Sequence, residues 1–366
     1  LQLELNDQSG NRIVVADEQP LAPQQKEGSL DWVAEELRKL AEPWSASQIE
    51  LEQQGNPFVP RSQLRALKQL ALEELKQKRT APPRPTQHHA ATLESLFQQL
   101  RVTPDRVDGE DSTPQLHLLL RSAEQLRAAQ ELDVASITLD LPHESQLVRA
   151  MELLKGTKIP VGIATPRIFK QGEEEMLNRL VSCSPAHLLV RNLGALQLLK
   201  NQKIPLWGDY SLNVANSLSA AWLLQLGLSR LTPSIELDDP QLLALLDSTL
   251  LSARQFELPL QLKTPLFHTE HCLYADRLGK RGTPATCGKP CLRHQIDLKD
   301  QKGEIHTLLR DLHCRNTLYR GAAKNNAHLI SALRRRGVHH FRIEFVGESA
   351  DQVIEKVRKL QQLFKT

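Results

Sequence analysis

The sequence predicts a mixed α/β protein in which a (β/α)8 barrel of the TIM type follows a small N-terminal α+β auxiliary domain. Two observations favour the barrel. From residue 114 onward, short apolar segments of strand length alternate with amphipathic helical segments, which is typical of a parallel sheet covered by helices. Eight such units fit into residues 114–366, and this agrees with the roughly 250 residues of a closed eight-stranded barrel.

The first 80 residues have a different pattern. A turn cluster, NDQSGN, separates two short alternating segments and predicts a β-hairpin. The predicted elements of this domain are two hairpin strands at 1–5 and 12–16, two helices at 31–40 and 61–78, and a β-like segment at 49–59. Residues 81–113 contain APPRPTQHHA and PDRVDGEDSTP, whose proline and charge content predicts a linker around a short helix at 93–100.

The barrel region supplies one strand and one helix per unit. Its predicted strands are 116–120, 136–141, 159–164, 187–190, 205–207, 230–235, 258–262 and 340–345. A helical segment follows each strand, and the last helix is predicted at 350–364. An insertion at 266–319, between the seventh and eighth strands, interrupts the alternation.

Active sites of such barrels lie at the carboxyl ends of the strands, so polar residues that directly follow a strand become candidates. The catalytic candidates are Asp209, Glu236, His268 and Glu270. The substrate-binding candidates are Arg191, Asn213 and, within the insertion, Arg315. The carboxyl ends of the strands surround one opening of the barrel, its mouth. Further candidates at this mouth are Arg121, Asp140, Thr165, Arg167 and Asn192.

Composition limits the class of protein. The net charge of +3 is too small to require a nucleic-acid partner, and no apolar run approaches the roughly 20 residues of a membrane span. Five cysteines without a signal peptide favour a reducing, cytoplasmic compartment. The chain opens with Leu1, so we expect it to begin partway through a longer protein, with a first barrel upstream as a possible partner.

Four of the five cysteines lie in the insertion: Cys272, Cys287, Cys291 and Cys314, with 14, 3 and 22 residues between them. Four thiols in an otherwise cysteine-poor chain predict one site with four soft ligands. Zinc sites usually bring cysteines in pairs two residues apart, whereas an iron–sulfur cluster tolerates wider spacing. The spacing alone leaves a 4Fe–4S cluster and a structural zinc ion equally open.

The insertion also carries a family resemblance. The segments HTEHC, CGKPC and DLHCRNTLY resemble the cysteine segment of the collagenase-like peptidase family U-32, and GDYSLNVANS and LTPSIEL resemble two other segments of that family. The resemblance covers nearly the whole chain and implies a (β/α) barrel. Several relatives are associated with oxygen-independent hydroxylation of RNA bases or of a quinone precursor by means of a 4Fe–4S cluster, and others are described as peptidases. Hydroxylating relatives often carry a second cysteine seven residues after the first, where this chain has Gly279.

Three functional hypotheses follow. The first is an iron–sulfur-dependent hydroxylase-type enzyme that acts on RNA or on a small aromatic substrate. The second is a peptidase of the same family, although the chain has neither GxSxG nor HExxH, and the histidines of His268-x-Glu270-His271 are only three apart. The third is a non-catalytic RNA-binding or scaffold barrel with a structural metal site.

Overall fold

The computed structural model describes residues 1–18, 22–23, 31–55, 57–81, 93–100, 113–248, 250–279 and 286–364. The chain divides into two compact units, Leu1–Ala90 and Ala91–Thr366. Most of the predicted linker lies outside the described residues. Within the described part, no helix has the length and apolar character needed to cross a membrane.

The N-terminal unit is a hairpin packed on a helix. Strands β1 (Gln2–Asn6) and β2 (Arg12–Ala16) are antiparallel, and helices α1 (Asp31–Arg38) and α2 (Arg61–Thr80) follow. Ile13 and Val15 alternate inward along β2 and pack against one face of α2. The predicted β-like segment at 49–59 is wrong. Its described residues form no strand, only a bridge between Pro23 and Pro57, because proline and Gly55 interrupt extended pairing there.

The larger unit alternates strands and helices as predicted. Its strands before the insertion are β3 (Gln115–Leu120), β4 (Ser136–Leu139), β5 (Val161–Ala164), β6 (Leu188–Val190), β7 (Leu206–Gly208), β8 (Leu228–Leu231) and β9 (Glu257–Thr269). The insertion adds β10 (Ile296–Lys299), β11 (Ile305–Arg310) and β12 (Asn316–Asn325), and β13 (His340–Glu344) follows it. The helices are α3 (Leu93–Gln99), α4 (Ala123–Ala129), α5 (Glu144–Leu153), α6 (Glu174–Ser182), α7 (Leu193–Leu199), α8 (Ser217–Gln225), α9 (Asp239–Leu246), α10 (Leu273–Leu278), α11 (Ile330–Arg335) and α12 (Ala350–Leu363).

All these strands form one 11-stranded sheet. Eight of them are parallel neighbours in the order β9-β13-β3-β4-β5-β6-β7-β8, and the insertion extends the β9 side with antiparallel β12, β11 and β10. A parallel bridge between Leu231 and Phe256 joins the end of β8 to the residue before β9. The two ends of the parallel run therefore meet at this bridge.

Side-chain contacts show that the sheet is strongly curled. Arg342 on β13 donates a hydrogen bond of 2.7 Å to Asp209, which directly follows β7. These strands are five positions apart, and a flat sheet would separate them by about 24 Å at roughly 4.8 Å per strand. The contact is possible only because the sheet wraps around a shared interior.

The two faces of the sheet have different chemistry. On β3, Leu116, Leu118 and Leu120 face the helices and join the main apolar core, as do alternate residues on the other parallel strands. The intervening His117 and the following Arg121 are also buried, but they form hydrogen bonds inside the curled sheet. The interior therefore combines polar contacts with a small apolar cluster of Leu119, Ala164 and Leu189, and the main apolar core lies between the sheet and its helices.

A histidine cluster fills the interior near the amino ends of the strands. His117 Nδ1 lies 2.7 Å from Ser136 Oγ, and its Nε2 lies 3.1 Å from His340 Nδ1. His187 stacks on Trp207 with ring centroids 3.5 Å apart. Gly162 on β5 is required beside this ring, because a Cβ there would lie 2.1 Å from His187 Nε2.

This cluster makes stability depend on pH. Burial is the main cause that lowers the pKa of His117 and His187 to about 3 and that of His340 to about 4. In the unfolded chain these groups titrate near 6.5, so between about pH 6.5 and 4 the unfolded state binds more protons than the folded state. Stability must therefore fall as pH decreases through this window. We expect a loss of roughly 2 kcal/mol per histidine between about pH 7 and pH 5, measured by urea unfolding.

A pair of variants isolates the effect. His117→Gln removes one buried titrating group and should give a shallower pH slope than the wild type. His328→Gln is the control, because this side chain is 58% exposed and should leave the slope unchanged. Equal slopes for His117→Gln and the wild type would contradict the assignment.

Candidate active site

A cavity of about 240 Å³ lies at the carboxyl ends of the parallel strands. Its floor is a chain of ion pairs. Asp140 accepts hydrogen bonds from Arg121 and Arg191, each at 2.9 Å, and Arg191 also donates to Asp209 at 2.9 Å. Each of these residues directly follows a strand, so the sheet sets their spacing. The floor is consequently rigid and close to electrically neutral.

The floor remains ionised over the ordinary pH range. Burial alone would raise the pKa of Asp140, but the positive charges of Arg191 and Arg121 outweigh it and lower the pKa to about 2. Asp209 is 1% exposed; burial raises its pKa, and Arg342 and Arg191 lower it by more. Its oxygens already accept hydrogen bonds from Arg191, Arg342 and the Tyr210 backbone. Asp209 therefore lines the cavity as a residue that positions arginines, while its predicted catalytic role stays a prediction.

Two predicted site residues lie outside the cavity lining. Glu236 is exposed in the turn before α9, because β8 ends at Leu231 and the chain has already left the mouth. Asn213 is exposed and closes a 3-10 turn with a φ of 56°. The structure thus corrects their placement: a position shortly after a strand does not bring a side chain into the mouth. Asn192 caps α7 by accepting a hydrogen bond from Ala195 N.

His268 does reach the cavity, on the extended second half of β9. Its Nδ1 lies 2.6 Å from Thr317 Oγ1 on the paired strand β12. Its Nε2 is buried and has no hydrogen-bond partner within the described residues. Burial, then the charges of Arg167 and Arg315, lowers the pKa of His268, so the ring is neutral near pH 7.

Arg315 and Glu270, predicted for substrate binding and catalysis, instead form a clamp. The Arg315 side chain is 3% exposed and donates to Glu270 at 2.8 Å, to Ile168 O at 3.1 Å and to Glu173. Glu270 is also paired with Lys170 at 2.9 Å. Arg315 therefore ties the insertion and Glu270 to the loop between β5 and α6, and its predicted role in substrate binding stays a prediction.

The four predicted ligand cysteines converge on one small core. Cys272 precedes α10, Cys287 and Cys291 flank the start of a 3-10 turn at Pro290–Leu292, and Cys314 lies in the β11–β12 turn. They pack with Tyr274, Ala275, Leu308 and Leu318. Lys289 and Cys314 have φ values of 53° and 64°, so both turns depend on left-handed backbone. Cys183, in contrast, lies at the end of α6 against the main core.

Arg310 connects two of the sulfurs. Its Nη1 donates to Cys291 Sγ at 3.5 Å and to Cys314 Sγ at 3.4 Å, so these sulfurs are at most about 7 Å apart. Burial raises the pKa of the Cys314 thiol, and the nearness of Cys272 and Cys291 adds to this rise. In the part of the chain that is described, Arg310 pairs with no carboxylate; its other acceptors are Pro142 O and His143 Nδ1.

His143 presents an N–H to Cys291 Sγ, one of the two sulfurs that Arg310 contacts. A guanidinium only donates, so His143 Nδ1, 3.0 Å from Arg310 Nη2, must accept. Burial, then Arg310 and Lys289, lowers the pKa of His143 to about 4, so the ring is neutral near pH 7. Its proton is then on Nε2, which lies 3.7 Å from Cys291 Sγ. Two donors directed at one sulfur fit a thiolate better than a thiol.

These contacts test which metal group the cysteines fit. A tetrahedral zinc ion bound at about 2.3 Å would bring its four sulfurs to about 3.8 Å from one another. Among the described residues, which include all four cysteines, no three sulfurs lie within 4.8 Å of each other. The shared core and the separation of at most about 7 Å between the sulfurs of Cys291 and Cys314 are compatible with a larger four-thiolate cluster.

Sequence reasoning missed Arg310, His143, Tyr210 and Tyr319. Tyr319 and Tyr210 line the cavity, and no hydrogen bond from either hydroxyl is found among the described residues. Tyr319 stacks under Arg121, 5.0 Å from the guanidinium carbon to the ring centroid. Arg310 and Tyr319 lie inside the insertion strands, where strand–helix alternation gave no signal; only proximity to the cysteines in the sequence pointed to them.

The curled sheet and the cavity at the ends of its parallel strands place the chain among α/β proteins of barrel-like architecture. The model of peptidase family U32 matches residues 167–366, more than half of the chain, and the chain belongs to this family. This confirms the family resemblance seen in the sequence. No curated protein matches the chain.

Similar solved structures include the U32 peptidase Mk0906, at 9% identity and a TM-score of 0.41, with 65% of this chain and 96% of that chain covered. Another is the spore cortex-lytic enzyme SleL from Bacillus cereus, at 8% identity and a TM-score of 0.36, with 69% and 75% covered. A third is a family GH18 chitinase from Cycas revoluta, at 9% identity and a TM-score of 0.34, with 68% and 98% covered.

The clamp role of Arg315 predicts a stability effect. Arg315→Gln removes the charge that pairs with Glu173 and Glu270, and we expect a loss of roughly 2 kcal/mol in unfolding free energy. Limited proteolysis should cut the insertion sooner. Lys170→Gln is the control, because Lys170 is 53% exposed and its one ion pair among the described residues is with Glu270, so it should change stability little. A variant Arg315→Gln that unfolds like the wild type, yet binds substrate poorly, would restore the substrate-binding role.

Proposed function

We propose that the eight parallel strands form a closed (β/α)8 barrel and that its mouth is the active site of an iron–sulfur-dependent enzyme. The proposed chemistry is hydroxylation of an RNA base or a small aromatic substrate without molecular oxygen, with an organic hydroxyl donor that supplies the oxygen atom and is itself reduced. The bridge between Leu231 and Phe256 supports closure, as does the contact between Arg342 and Asp209 across the interior. Membership of family U32 is compatible with this proposal and with a peptidase.

One observation carries the proposal: Cys291 lines the same cavity as Asp140 and Arg191. A cluster held by Cys272, Cys287, Cys291 and Cys314 would therefore border the substrate cavity. When bound, such a cluster supplies one-electron redox chemistry. A purely structural metal would have no need to lie beside the cavity.

The protein groups around the cavity have roles that follow from their contacts. Arg310 donates to two sulfurs, and its charge would offset the negative charge of the thiolates. Burial raises the pKa of both Tyr210 and Tyr319, so their hydroxyls stay protonated and can donate to a ring substituent of the substrate. At about 240 Å³ the cavity is small for a ligand site and suits one ring system rather than a peptide segment.

A peptidase is the second candidate, and the proximity of Cys291 and His143 favours it. A thiol beside an imidazole is the pair used in nucleophilic catalysis by cysteine peptidases, where the histidine takes the thiol proton. The contact with Arg310 opposes this role here. Arg310 donates to His143 Nδ1, and burial together with the Arg310 charge lowers the pKa of His143 to about 4, so the ring cannot become the imidazolium that accompanies a catalytic thiolate without losing this hydrogen bond.

Cysteine substitutions separate the two candidates. The protein, purified without oxygen, should show a broad absorption near about 400 nm and about four irons per chain. Cys287→Ser and Cys291→Ser should each lose the absorption and the hydroxylated product, with cooperative thermal unfolding retained because the main core excludes both residues. Cys183→Ser is the matched control and should keep all three properties.

The peptidase hypothesis predicts a different pattern. Peptide hydrolysis would then be abolished by Cys291→Ser and by His143→Gln, and it would survive in Cys287→Ser. Stoichiometric zinc in place of iron, with loss of cooperative unfolding in Cys287→Ser, would instead identify a structural zinc site. Either pattern would overturn the iron–sulfur proposal.

A further inference from the structure

The charges that line the cavity do not cancel. Arg121 and Arg191 are matched by Asp140 and Asp209 through the ion pairs of the floor. Arg167 is different: within the described residues its side chain makes neither a hydrogen bond nor an ion pair, although it lines the same cavity. Arg167 and Arg310 therefore both line the cavity without a carboxylate partner among the described residues. Arg310 donates to the sulfurs of Cys291 and Cys314, so the charge of Arg167 is the one left for a ligand.

The position of Arg167 directs this charge into the cavity. It follows β5, at the carboxyl edge of the sheet, and is partly buried. After burial, its charge is the strongest influence that lowers the pKa of His268, so the guanidinium lies close to the ring. The buried His268 Nε2 also has no partner in the described part of the chain. An unpaired cation and an unpaired imidazole nitrogen thus occupy one wall.

A ligand oxyanion would give both Arg167 and His268 Nε2 a hydrogen-bond partner. A guanidinium presents a planar fork of N–H donors that matches two oxygens of a carboxylate or phosphate. The pairing is stronger in a small cavity than in water, because less solvent screens the charge. Asp311 also lines the cavity. Its Oδ1 accepts from the backbone N–H groups of His313 and Arg315, its Oδ2 has no partner within the described residues, and it forms no ion pair with Arg167.

We infer that the cavity binds an anionic small molecule through its carboxylate or phosphate group, with Arg167 as the recognition residue and His268 beside it. This inference rests on the proposed function and extends it, because it assigns the cavity as the substrate site and gives the charge of the ligand. Binding itself requires no cluster. The oxyanion belongs either to a nucleotide phosphate or to an aromatic carboxylate, and the cavity has room for one ring beside it.

Calorimetric titration tests the inference on the full chain. The probes are benzoate, a nucleoside 5′-monophosphate and inorganic phosphate, each at low and at physiological salt. Arg167→Gln should weaken the binding of the best probe by about tenfold or more, and Arg167→Lys should recover part of the loss because it restores charge without the fork. Arg127→Gln is the matched control: it removes one positive charge from the exposed face of α4 and should bind like the wild type.

The same titration on Cys287→Ser separates this inference from the iron–sulfur proposal. Unchanged anion binding in this variant supports the inference whatever the metal content. Preference for benzoate identifies a carboxylate ligand, and preference for the nucleotide identifies a phosphate ligand; both support an oxyanion site. Equal binding by wild type and Arg167→Gln, or no binding of any probe, overturns the inference even if the protein contains iron.

Discussion

The larger unit depends on ion pairs that cross the interior of its sheet. Arg342 is 1% exposed and donates to Asp209 after β7, to Glu257 on β9 and to Glu344 on its own strand. A buried charge is costly unless its partners satisfy it, and removal of one partner from such a pair is strongly destabilising. The contact with Asp209 needs a tightly curled sheet, since β13 and β7 are not neighbours. The ion pair between Arg342 and Asp209 can form only in a curled sheet, and the curled sheet places buried charges that need these partners.

The same network fixes the geometry of the cavity. Asp209 is held by Arg342 on one oxygen and by Arg191 on the other, and Arg191 in turn holds Asp140. Each side chain has few alternative partners, so the floor is set before any ligand binds. Preorganised charges of this kind lose little free energy to rearrangement when a ligand or transition state forms. The network of buried ion pairs thus continues from the interior of the sheet to the candidate site.

The strand–helix alternation predicted most of the larger unit, because short apolar runs and the helix spacing between them are local properties of the sequence. It also found Asp140, Arg191 and His268 at the cavity, since these residues follow or extend strands directly. It did not exclude Glu236 and Asn213 from the cavity, and it did not indicate the clamp that Arg315 forms. The direction of a side chain beyond a strand depends on the loop that follows, and in the case of Arg315 on partners more than 40 residues away. Arg310 was missed for a similar reason: its partners are Pro142 and His143, in the loop after β4.

The contacts of the insertion bear on the purpose of its cysteines. Its strands extend the sheet from β9 in the antiparallel order β12, β11 and β10, with bulges in the β12–β9 pairing, and Tyr274, Ala275, Leu308 and Leu318 share a small buried core with Cys272 and Cys287. Arg310 fastens it to the loop after β4, and Arg315 fastens it to the loop after β5. Structural zinc is typical of segments too small to build a core, where metal binding supplies the folding energy. An insertion that already has a sheet and two arginine anchors has less need of a structural zinc ion. The position of one of its four thiols on the cavity wall supports the proposal that they serve chemistry at the cavity.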